Sequence, residues 1–408
     1  MQFGFLGINY KKAQLDIRDK TSFTDVKKID FFHRAEETEV HQCMILSTCN
    51  RSEVYFFYES DGQPEKLRQL YKEMFPDVDV DQYLVEMTGK EAMEYLFRVA
   101  AGLESLVLGE DQILGQVKEA LDFSRTMGYS GKEMNKVVLD AVTCAKRIKT
   151  QFRISERPLS VSYIGIQKLQ EFCGIAGKRV LVIGSGDTAM LALKYLYEYE
   201  VPKVFVCSRT LSHAEKRKED FPWIDVIEYK NRYDCMKECD IVISATSSPH
   251  LVVKRDKFEP EHTMVFLDLA APRDIDTDFM KDDLVQLINL DTLQKIAEEN
   301  RLERKKLAEE SVSVLREDLE ETCTWLMHSR VDSTIQSLQQ RCEEIVNDSY
   351  DYLNRKMQLS HREQKLLRKV LNASLQRLLR EPIQELKQID TEEKQDEYRE
   401  MVRHLFRI

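Results

Sequence analysis

The second half of the sequence lacks the residues that interrupt helices. All fourteen glycines of the 408-residue chain lie at or before Gly186, and no proline occurs between Pro272 and Pro382. Residues 273–381 therefore contain neither of the residues that tight turns most often use. We expect this whole stretch to be helical. One helix of that length would measure about 160 Å at about 1.5 Å per residue, so several helices are expected.

Long hydrophobic runs are also missing. No stretch approaches the ~18 consecutive apolar residues of a membrane span, which excludes a spanning helix. The N-terminal segment carries Asp16 and Asp19 and has no apolar signal-peptide core, so we expect no export. The net charge of −11 excludes a broadly basic nucleic-acid coat, although a local basic patch stays compatible with it.

The nine cysteines are odd in number and scattered, and none forms C-x-x-C. The closest pair, Cys235 and Cys239, has no neighbouring histidine to complete a zinc set, so we predict no metal. A reduced, cytoplasmic protein is the simplest interpretation.

Residues 1–155 mix strands and helices and predict an α+β domain. The runs Gln2–Ile8, Gln42–Ser47 and Val54–Tyr58 are short and rich in strand-forming residues. Cys49 follows the second run in a polar loop, two residues before Arg51, and a nearby positive charge favours the nucleophilic thiolate. The alternative is a small, buried cysteine.

The segment Gly102–Gln116 places polar residues and glycines among leucines. This pattern suits a loop that lines a polar ligand site. An ordinary corner between two helices would produce the same pattern.

Residues 156–287 predict a Rossmann-type α/β domain. The apolar run Val180–Ile183 ends in a G-x-G-x-x-A motif and continues into the helical pattern Met190–Tyr197. Further apolar runs, at Lys203–Cys207, Ile241–Ala245 and Met264–Asp268, predict a parallel sheet. The alternative is a glycine-rich turn with no ligand. The predicted cofactor-binding residues of this loop are Gly184, Ser185, Gly186, Asp187, Thr188 and Ala189.

The second strand of this unit ends at Cys207 and is followed by Ser208 and Arg209. An NAD site would place an acidic residue there, whereas an arginine suits the 2′-phosphate of NADP(H). The sequence therefore predicts NADPH as the cofactor. The alternative is that Arg209 is an ordinary surface arginine.

Residues 288–408 predict a helical linker followed by an all-α domain. Ser360-His361-Arg362-Glu363 has the form of a capping box, so a helix is expected to begin there. The narrow apolar stripes of these helices favour pairing with a second copy of the chain. A bundle that packs only on its own chain is the alternative.

Four stretches together resemble the glutamyl-tRNA reductase family: Leu6-Gly7-Ile8-Asn9, Ser47–Tyr55, Gly102–Gln116 and Asp268–Ile275. The resemblance covers the full chain in order. It implies a catalytic α+β domain at residues 1–155, an NADPH-binding domain at 156–287 and dimerisation helices in 288–408. The implied reaction is reduction of glutamyl-tRNA to glutamate-1-semialdehyde, the first step of the five-carbon route to tetrapyrroles.

The resemblance also implies roles for individual residues. Cys49 would attack the ester carbonyl of glutamyl-tRNA to form a thioester, Arg51 would pair with a substrate carboxylate, and Glu110 could hold the α-ammonium group. Delivery of the aldehyde to the aminomutase that follows is a family-level expectation. The implied substrate-binding residues are Thr48, Cys49, Asn50, Arg51, Ser105, Glu110, Asp111, Gln112 and Gln116.

The chain departs from the family pattern at two histidine positions. Tyr10 stands where the family usually has histidine after Leu-Gly-Ile-Asn, and Tyr95 replaces a histidine that has been discussed as a catalytic base. A phenol with a reference pKa of about 10 is a poor base at neutral pH. We interpret the histidine as dispensable. The alternative is a catalytically impaired, regulatory relative that binds tRNA and NADPH.

Overall fold

The computed structural model describes residues 1–357, 359–389 and 391–408. Within these residues the chain forms two compact units. One combines Met1–Phe152 with Glu310–Ile408, and the other is Arg153–Glu309. The domain limits at residues 155 and 287 stay a prediction.

An antiparallel sheet with strand order β2-β3-β1-β4 forms the centre of the N-terminal region. The strands are β1 (Gln2–Asn9), β2 (Gln42–Ser47), β3 (Arg51–Tyr58) and β4 (Val85–Thr88). The three predicted strands are confirmed, and β3 begins three residues earlier than expected, at Arg51. Helices cover both faces, so β1 and β3 are buried along nearly their whole length and appear as continuous apolar runs. The helices of this region are α1 (Leu15–Lys20), α2 (Asp25–Glu37), α3 (Gly62–Met74), α4 (Gly89–Ala100), α5 (Gln112–Thr126) and α6 (Lys132–Phe152).

The middle of the chain forms a parallel sheet with strand order β10-β9-β8-β5-β6-β7. Apolar clusters cover both of its faces, as the predicted Rossmann-type fold requires. The strands are β5 (Arg179–Ile183), β6 (Lys203–Cys207), β7 (Ile224–Val226), β8 (Ile241–Ser244), β9 (Met264–Asp268) and β10 (Val285–Ile288). The helices are α7 (Val161–Cys173), α8 (Asp187–Leu196), α9 (Leu211–Asp220) and α10 (Arg232–Met236).

The expectation that residues 273–381 are entirely helical is wrong for their first part. A short 3-10 turn at Thr277–Lys281 precedes β10, which pairs with β9 in parallel. The turns there use aspartate instead of glycine or proline. The carboxylate of Asp276 accepts the N–H of Asp278 at 3.1 Å, and that of Asp282 accepts the N–H of Leu284 at 2.9 Å.

Most of the described residues in the rest of that stretch are helical, as predicted. The helices are α11 (Leu290–Ser329), α12 (Asp332–Lys356), α13 (His361–Lys387) and α14 (Glu392–Phe406). The capping box is confirmed, because Ser360 Oγ accepts the Glu363 N–H and the Glu363 carboxylate accepts the Ser360 N–H. Leu338 of α12 packs in one apolar cluster with Leu379 and Leu386 of α13. In the described part of the chain, no helix combines the length and apolar character that crossing a membrane requires.

Gly7 pairs with Glu53 across β1 and β3, and a Cβ added at Gly7 would lie 2.8 Å from the Glu53 Cα. We expect Gly7→Ala to lower the free energy of unfolding by about 1–3 kcal/mol through overpacking. Gly62→Ala is the matched control, because an added Cβ there meets nothing within 4 Å. Denaturant unfolding of the full chain followed by circular dichroism measures both. Equal stability of the two variants would contradict the close packing.

Candidate functional site

Cys49 is exposed in the loop between β2 and β3. Two local hydrogen bonds shape this loop: Thr48 Oγ1 accepts the Asn50 N–H at 3.1 Å, and the Thr48 N–H donates to the Arg51 carbonyl at 2.8 Å. Arg18 of α1 donates to the Cys49 carbonyl at 2.7 Å and to the Asn50 side chain. The thiol is therefore carried on a fixed loop that is open to a ligand.

Arg51 does not lie open to a ligand in this structure. Its side chain is 1% exposed, its Nη1 lies 3.2 Å from Glu53 Oε1, and its Nη2 donates to the Glu104 carbonyl at 2.7 Å. Arg51 and Glu53 meet because alternate residues of a strand share one face. In this structure the guanidinium of Arg51 pairs internally with Glu53, and its pairing with a substrate carboxylate stays a prediction. The positive group bonded to the Cys49 peptide is Arg18, which sequence analysis missed because no local motif marks it.

Tyr95 belongs to the same buried network. Its hydroxyl donates to Glu53 Oε1 at 2.7 Å and accepts from Asn9 Nδ2 at 3.1 Å, while Tyr55 donates to Glu53 Oε2 at 2.8 Å. Burial, followed by the neighbouring Glu53 carboxylate, raises the pKa of Tyr95 well above its ordinary value. Tyr95 therefore keeps its proton at neutral pH and holds Glu53 in place.

The polar segment forms a closed loop before α5. Gly102 and Gly109 both have positive φ, and the Gly109 N–H donates to the Gly102 carbonyl at 2.9 Å. Ser105 between them is 5% exposed, and its hydroxyl has no hydrogen-bond partner among the described residues. Tyr10 supports this residue by donating to its carbonyl at 3.2 Å. Buried hydroxyls usually have a partner, so Ser105 stays a candidate for contact with a ligand.

Glu104 is a second residue that sequence analysis missed. Its carboxylate accepts from Arg98 Nε at 2.7 Å and pairs with Lys11. Burial raises the pKa of Glu104, but the hydrogen bonds from Lys11 and Arg98 outweigh burial and hold this pKa below its ordinary value. These residues, with Asn9 and Tyr95, line a cavity of about 440 Å³.

The remaining predicted substrate residues lie at the start of α5. Glu110 and Gln116 are half-buried and Gln112 is exposed. Asp111 is exposed and its carboxylate lies 2.6 Å from Lys149 Nζ of α6. Ser105 is therefore connected to Arg51 through the preceding residue, Glu104, whose carbonyl accepts from Arg51. Asp111 instead forms an ion pair with Lys149 on the surface.

A cavity of about 680 Å³ lies at the carboxyl edge of the parallel sheet, a size typical of ligand pockets. Loops after β5, β6, β8 and β9 line it, where the strand order reverses. The predicted residues in its wall are Gly184, Ser185, Gly186, Asp187, Thr188, Ser208 and Arg209. Ala189 lies in the apolar core instead, where its small side chain lets α8 pack closely. Sequence analysis did not select Thr210, His213, Tyr229 and Val252, which also line the cavity.

The glycine loop fits a dinucleotide pyrophosphate. Gly184 has φ +125°, and a Cβ there would overlap the Ala245 carbonyl oxygen, so only glycine fits. A Cβ on Gly186 would meet nothing within 4 Å, which leaves open space before the N-terminus of α8. Arg217 donates to the Ser185 carbonyl at 2.9 Å and holds the loop. Backbone N–H groups at such a helix end attract phosphate.

Two buried aspartates tie the loops of this cavity together. Asp274 accepts from Ser244 Oγ at 2.7 Å and from the Thr246 N–H at 2.9 Å, which joins the loops after β9 and β8. Asp268 accepts the N–H groups of Asp274 and Ile275, each at 2.9 Å. Burial, opposed by these donors, raises the pKa of Asp268 to about 6.

A dinucleotide cavity in a parallel sheet, together with an exposed cysteine on a fixed loop, defines an oxidoreductase that uses a nicotinamide nucleotide. Residues 6–152 match the N-terminal domain of glutamyl-tRNAGlu reductase, and residues 310–408 match its dimerisation domain. Residues 167–296 match shikimate/quinate 5-dehydrogenase.

Full-length relatives agree with these matches. Glutamyl-tRNA reductase of Clostridium novyi is 35% identical over 411 residues, with 100% of both chains covered. That of Carboxydothermus hydrogenoformans is 32% identical, with 98% of this chain and 92% of the relative covered. The fold matches glutamyl-tRNA reductase from Methanopyrus kandleri with a TM-score of 0.80 at 24% identity, covering 100% of this chain and 99% of that one. The chain belongs to the glutamyl-tRNA reductase family.

We expect Tyr95→Phe to lower the free energy of unfolding by about 1–3 kcal/mol, because Glu53 loses a buried donor. The dependence of kcat on pH between about 6 and 8 should keep its wild-type shape, since the Tyr95 phenol does not titrate there. Tyr58→Phe is the control, because it removes a comparable hydroxyl that donates to Gln2 at 2.8 Å. A shifted pH profile in Tyr95→Phe alone would show that Tyr95 transfers a proton during turnover.

Proposed function

We propose that this chain reduces glutamyl-tRNA to glutamate-1-semialdehyde through a thioester on Cys49, with NADPH as the hydride donor. This reaction begins the five-carbon route to tetrapyrroles. The observation that carries the proposal is the exposed Cys49 in a loop fixed by Arg18, in a member of the glutamyl-tRNA reductase family.

A thiol suits this reaction for a chemical reason. The Cys49 sulfur attacks the ester carbonyl carbon, the ester C–O bond breaks, and the ribose oxygen leaves as the hydroxyl of free tRNA. The resulting thioester accepts hydride far more readily than a carboxylate does. Reduced nicotinamide supplies that hydride when it is bound. Cleavage of the C–S bond then releases the aldehyde and leaves the Cys49 thiolate, which takes up a proton from solvent.

The surrounding residues have separate tasks in this proposal. Thr48 and Asn50 shape the loop and line the substrate pocket, and the Ser105 hydroxyl donates to the glutamyl group. Glu110, half-buried at the start of α5, is proposed to hold the α-ammonium. Gln112 and Gln116 are placed along the same helix, and Asp111 supports it through Lys149.

Arg51 has a positioning task. Its guanidinium joins the Cys49 loop to the Glu104 carbonyl, and Ser105 follows directly. Glu53 neutralises Arg51, and Tyr95 and Tyr55 each donate to Glu53. This network keeps the thiol and the Ser105 hydroxyl in fixed positions. It requires no histidine, which supports the view that the usual histidine is dispensable in this chain.

The cofactor is proposed to be NADPH. The loop Gly184–Thr188 would hold the pyrophosphate, and Ser208 and Arg209 in the cavity wall would bind the 2′-phosphate. No acidic residue stands at positions 208–210, where NAD enzymes carry one.

The proposed assembly is a homodimer formed by the C-terminal helices. Leu366, Val370 and Leu378 of α13 are 61%, 53% and 65% exposed, and a second copy would cover them. Delivery of the semialdehyde to an aminomutase and a cytoplasmic location stay predictions from the sequence.

The test of the thioester is a single turnover with radiolabelled glutamyl-tRNA. Without NADPH, we expect label to become covalently attached to the wild-type protein, and adding NADPH should release it as semialdehyde. Cys49→Ser should form no hydride-reducible adduct, with turnover reduced by at least about 10³-fold. Cys173→Ser, which changes a half-buried cysteine of the other compact unit, should behave like wild type. Binding of tRNA without label or NADPH oxidation would instead support the regulatory relative.

Cofactor preference is tested with Arg209→Gln. A hydrogen bond to a charged group contributes about 1.5–3 kcal/mol, so KM for NADPH should rise by about 10–100-fold while KM for NADH stays unchanged. Lys216→Gln, which removes an exposed positive charge on α9, is the control. Steady-state kinetics with both cofactors gives the comparison. An equal rise in KM for NADH would show that Arg209 does not bind the 2′-phosphate.

A further inference from the structure

Two cysteines that the proposed reaction does not use lie close together, one on α10 and one just after it. Cys235 is on this helix and Cys239 follows it, with their sulfur atoms 3.8 Å apart. The turn is tightened because the Cys239 N–H donates to the Met236 carbonyl at 3.1 Å. A disulfide requires a sulfur–sulfur distance of about 2.05 Å. The two sulfurs are in contact, and forming the bond would require Cys235 and Cys239 to move toward each other.

The two thiols differ in access and in acidity. Cys235 is half-buried, whereas Cys239 is buried, so a reagent from solution meets Cys235 first. The hydrogen bond between the two thiols holds the pKa of Cys235 below its ordinary value and raises the pKa of Cys239. An accessible, acidic thiol with a buried partner in contact is the arrangement of redox-sensitive cysteines.

This cysteine pair is connected to the dinucleotide cavity by α10. Arg232, on the same helix as Cys235, donates to the Tyr229 carbonyl at 3.0 Å and to the Val252 carbonyl at 3.2 Å. Its guanidinium also stacks on the Tyr229 ring at 4.2 Å. Tyr229 and Val252 both line the cavity. A displacement of Cys235 would therefore move a helix that holds the cavity wall.

Cys239 is connected to the cavity through a second element, the strand β8. It lies two residues before β8, and the residues that follow this strand, Ala245 and Thr246, line the cavity. Cys235 and Cys239 also pack in one apolar cluster with Cys207, which directly precedes Ser208 in the cavity wall. The cysteine pair thus contacts two of the elements that shape the cavity.

We propose that Cys235 and Cys239 form a reversible disulfide that weakens binding of the dinucleotide. The proposed disulfide is argued from the contact between the two sulfur atoms. Its effect on binding rests on the proposed function of the cavity.

The oxidant is a low-molecular-weight disulfide such as oxidised glutathione. The Cys235 thiolate attacks one sulfur of the oxidant, whose S–S bond breaks and releases one thiol. Cys239 then attacks the Cys235 sulfur of the mixed disulfide, transfers its proton to solvent and releases the second thiol. The two protein thiols lose two electrons and two protons, and the oxidant is reduced to two thiols.

The experiment uses the full chain carrying Cys49→Ser, so that the exposed Cys49 cannot react. The protein is treated with oxidised glutathione, its disulfides are mapped by peptide mass spectrometry, and NADPH affinity is measured by fluorescence titration. We expect a Cys235–Cys239 disulfide, a Kd for NADPH that is about fivefold higher or more, and recovery on adding dithiothreitol.

Three variants in the same background provide controls. In Cys239→Ser, the reaction should stop at the mixed disulfide between Cys235 and glutathione. Cys239→Ala repeats this test if serine destabilises the buried position. Cys173→Ser, which changes another half-buried cysteine of the same compact unit, should behave like the parent.

Absence of the Cys235–Cys239 disulfide would overturn the site, and a disulfide that leaves the Kd unchanged would overturn the switch. If the reduced parent does not bind NADPH, the proposed cofactor fails. The affinity comparison is then made with NADH, while disulfide mapping tests the site independently.

Discussion

The buried ion pair between Arg51 and Glu53 is the interaction on which the candidate catalytic site depends. Two charges removed from water are tolerated only when they neutralise each other and their remaining hydrogen-bonding groups are satisfied. Tyr95 and Tyr55 complete the partners of Glu53, and the Glu104 carbonyl accepts from Arg51. The pair therefore ties β3 to the segment that carries the unpartnered Ser105 hydroxyl. Loss of one member would leave a buried charge uncompensated.

The network also gives a physical account of how this chain departs from its family. Tyr95 stands where the resemblance implies a histidine, and its hydroxyl lies between Glu53 and Asn9. Tyr10, the other tyrosine that stands where the resemblance implies a histidine, donates a hydrogen bond to the Ser105 carbonyl. Both phenols act as fixed hydrogen-bond donors, and burial with the neighbouring Glu53 carboxylate raises the pKa of Tyr95 well above its ordinary value. In the proposed reaction the chemistry therefore rests on the Cys49 thiol, and the surrounding groups position it.

A different constraint shapes the dinucleotide cavity. Parallel strands bring their carboxyl ends to one edge, so loops that are distant in sequence meet there. Asp274, in the loop after β9, accepts a hydrogen bond from Thr246 in the loop after β8 and so holds the two loops together. Gly184 lies so close to the Ala245 carbonyl that no side chain fits at this position. The cavity is thus built by topology and by a few buried polar contacts. The pair Cys235 and Cys239 packs in an apolar cluster of the same sheet.

The sequence by itself determined the fold class, the family and the two motifs of chemical interest. These depend on local spacing: the strand–glycine loop–helix pattern around Gly184, the polar loop around Cys49, and the absence of glycine and proline from residues 273–381. Only the tertiary structure decided which charges meet. It joined Arg51 to the Glu104 carbonyl and Arg18 to the Cys49 carbonyl, because these partners are 53 and 31 residues apart in sequence and meet only through packing. It also showed β10, whose turns use aspartate carboxylates where glycine or proline was expected.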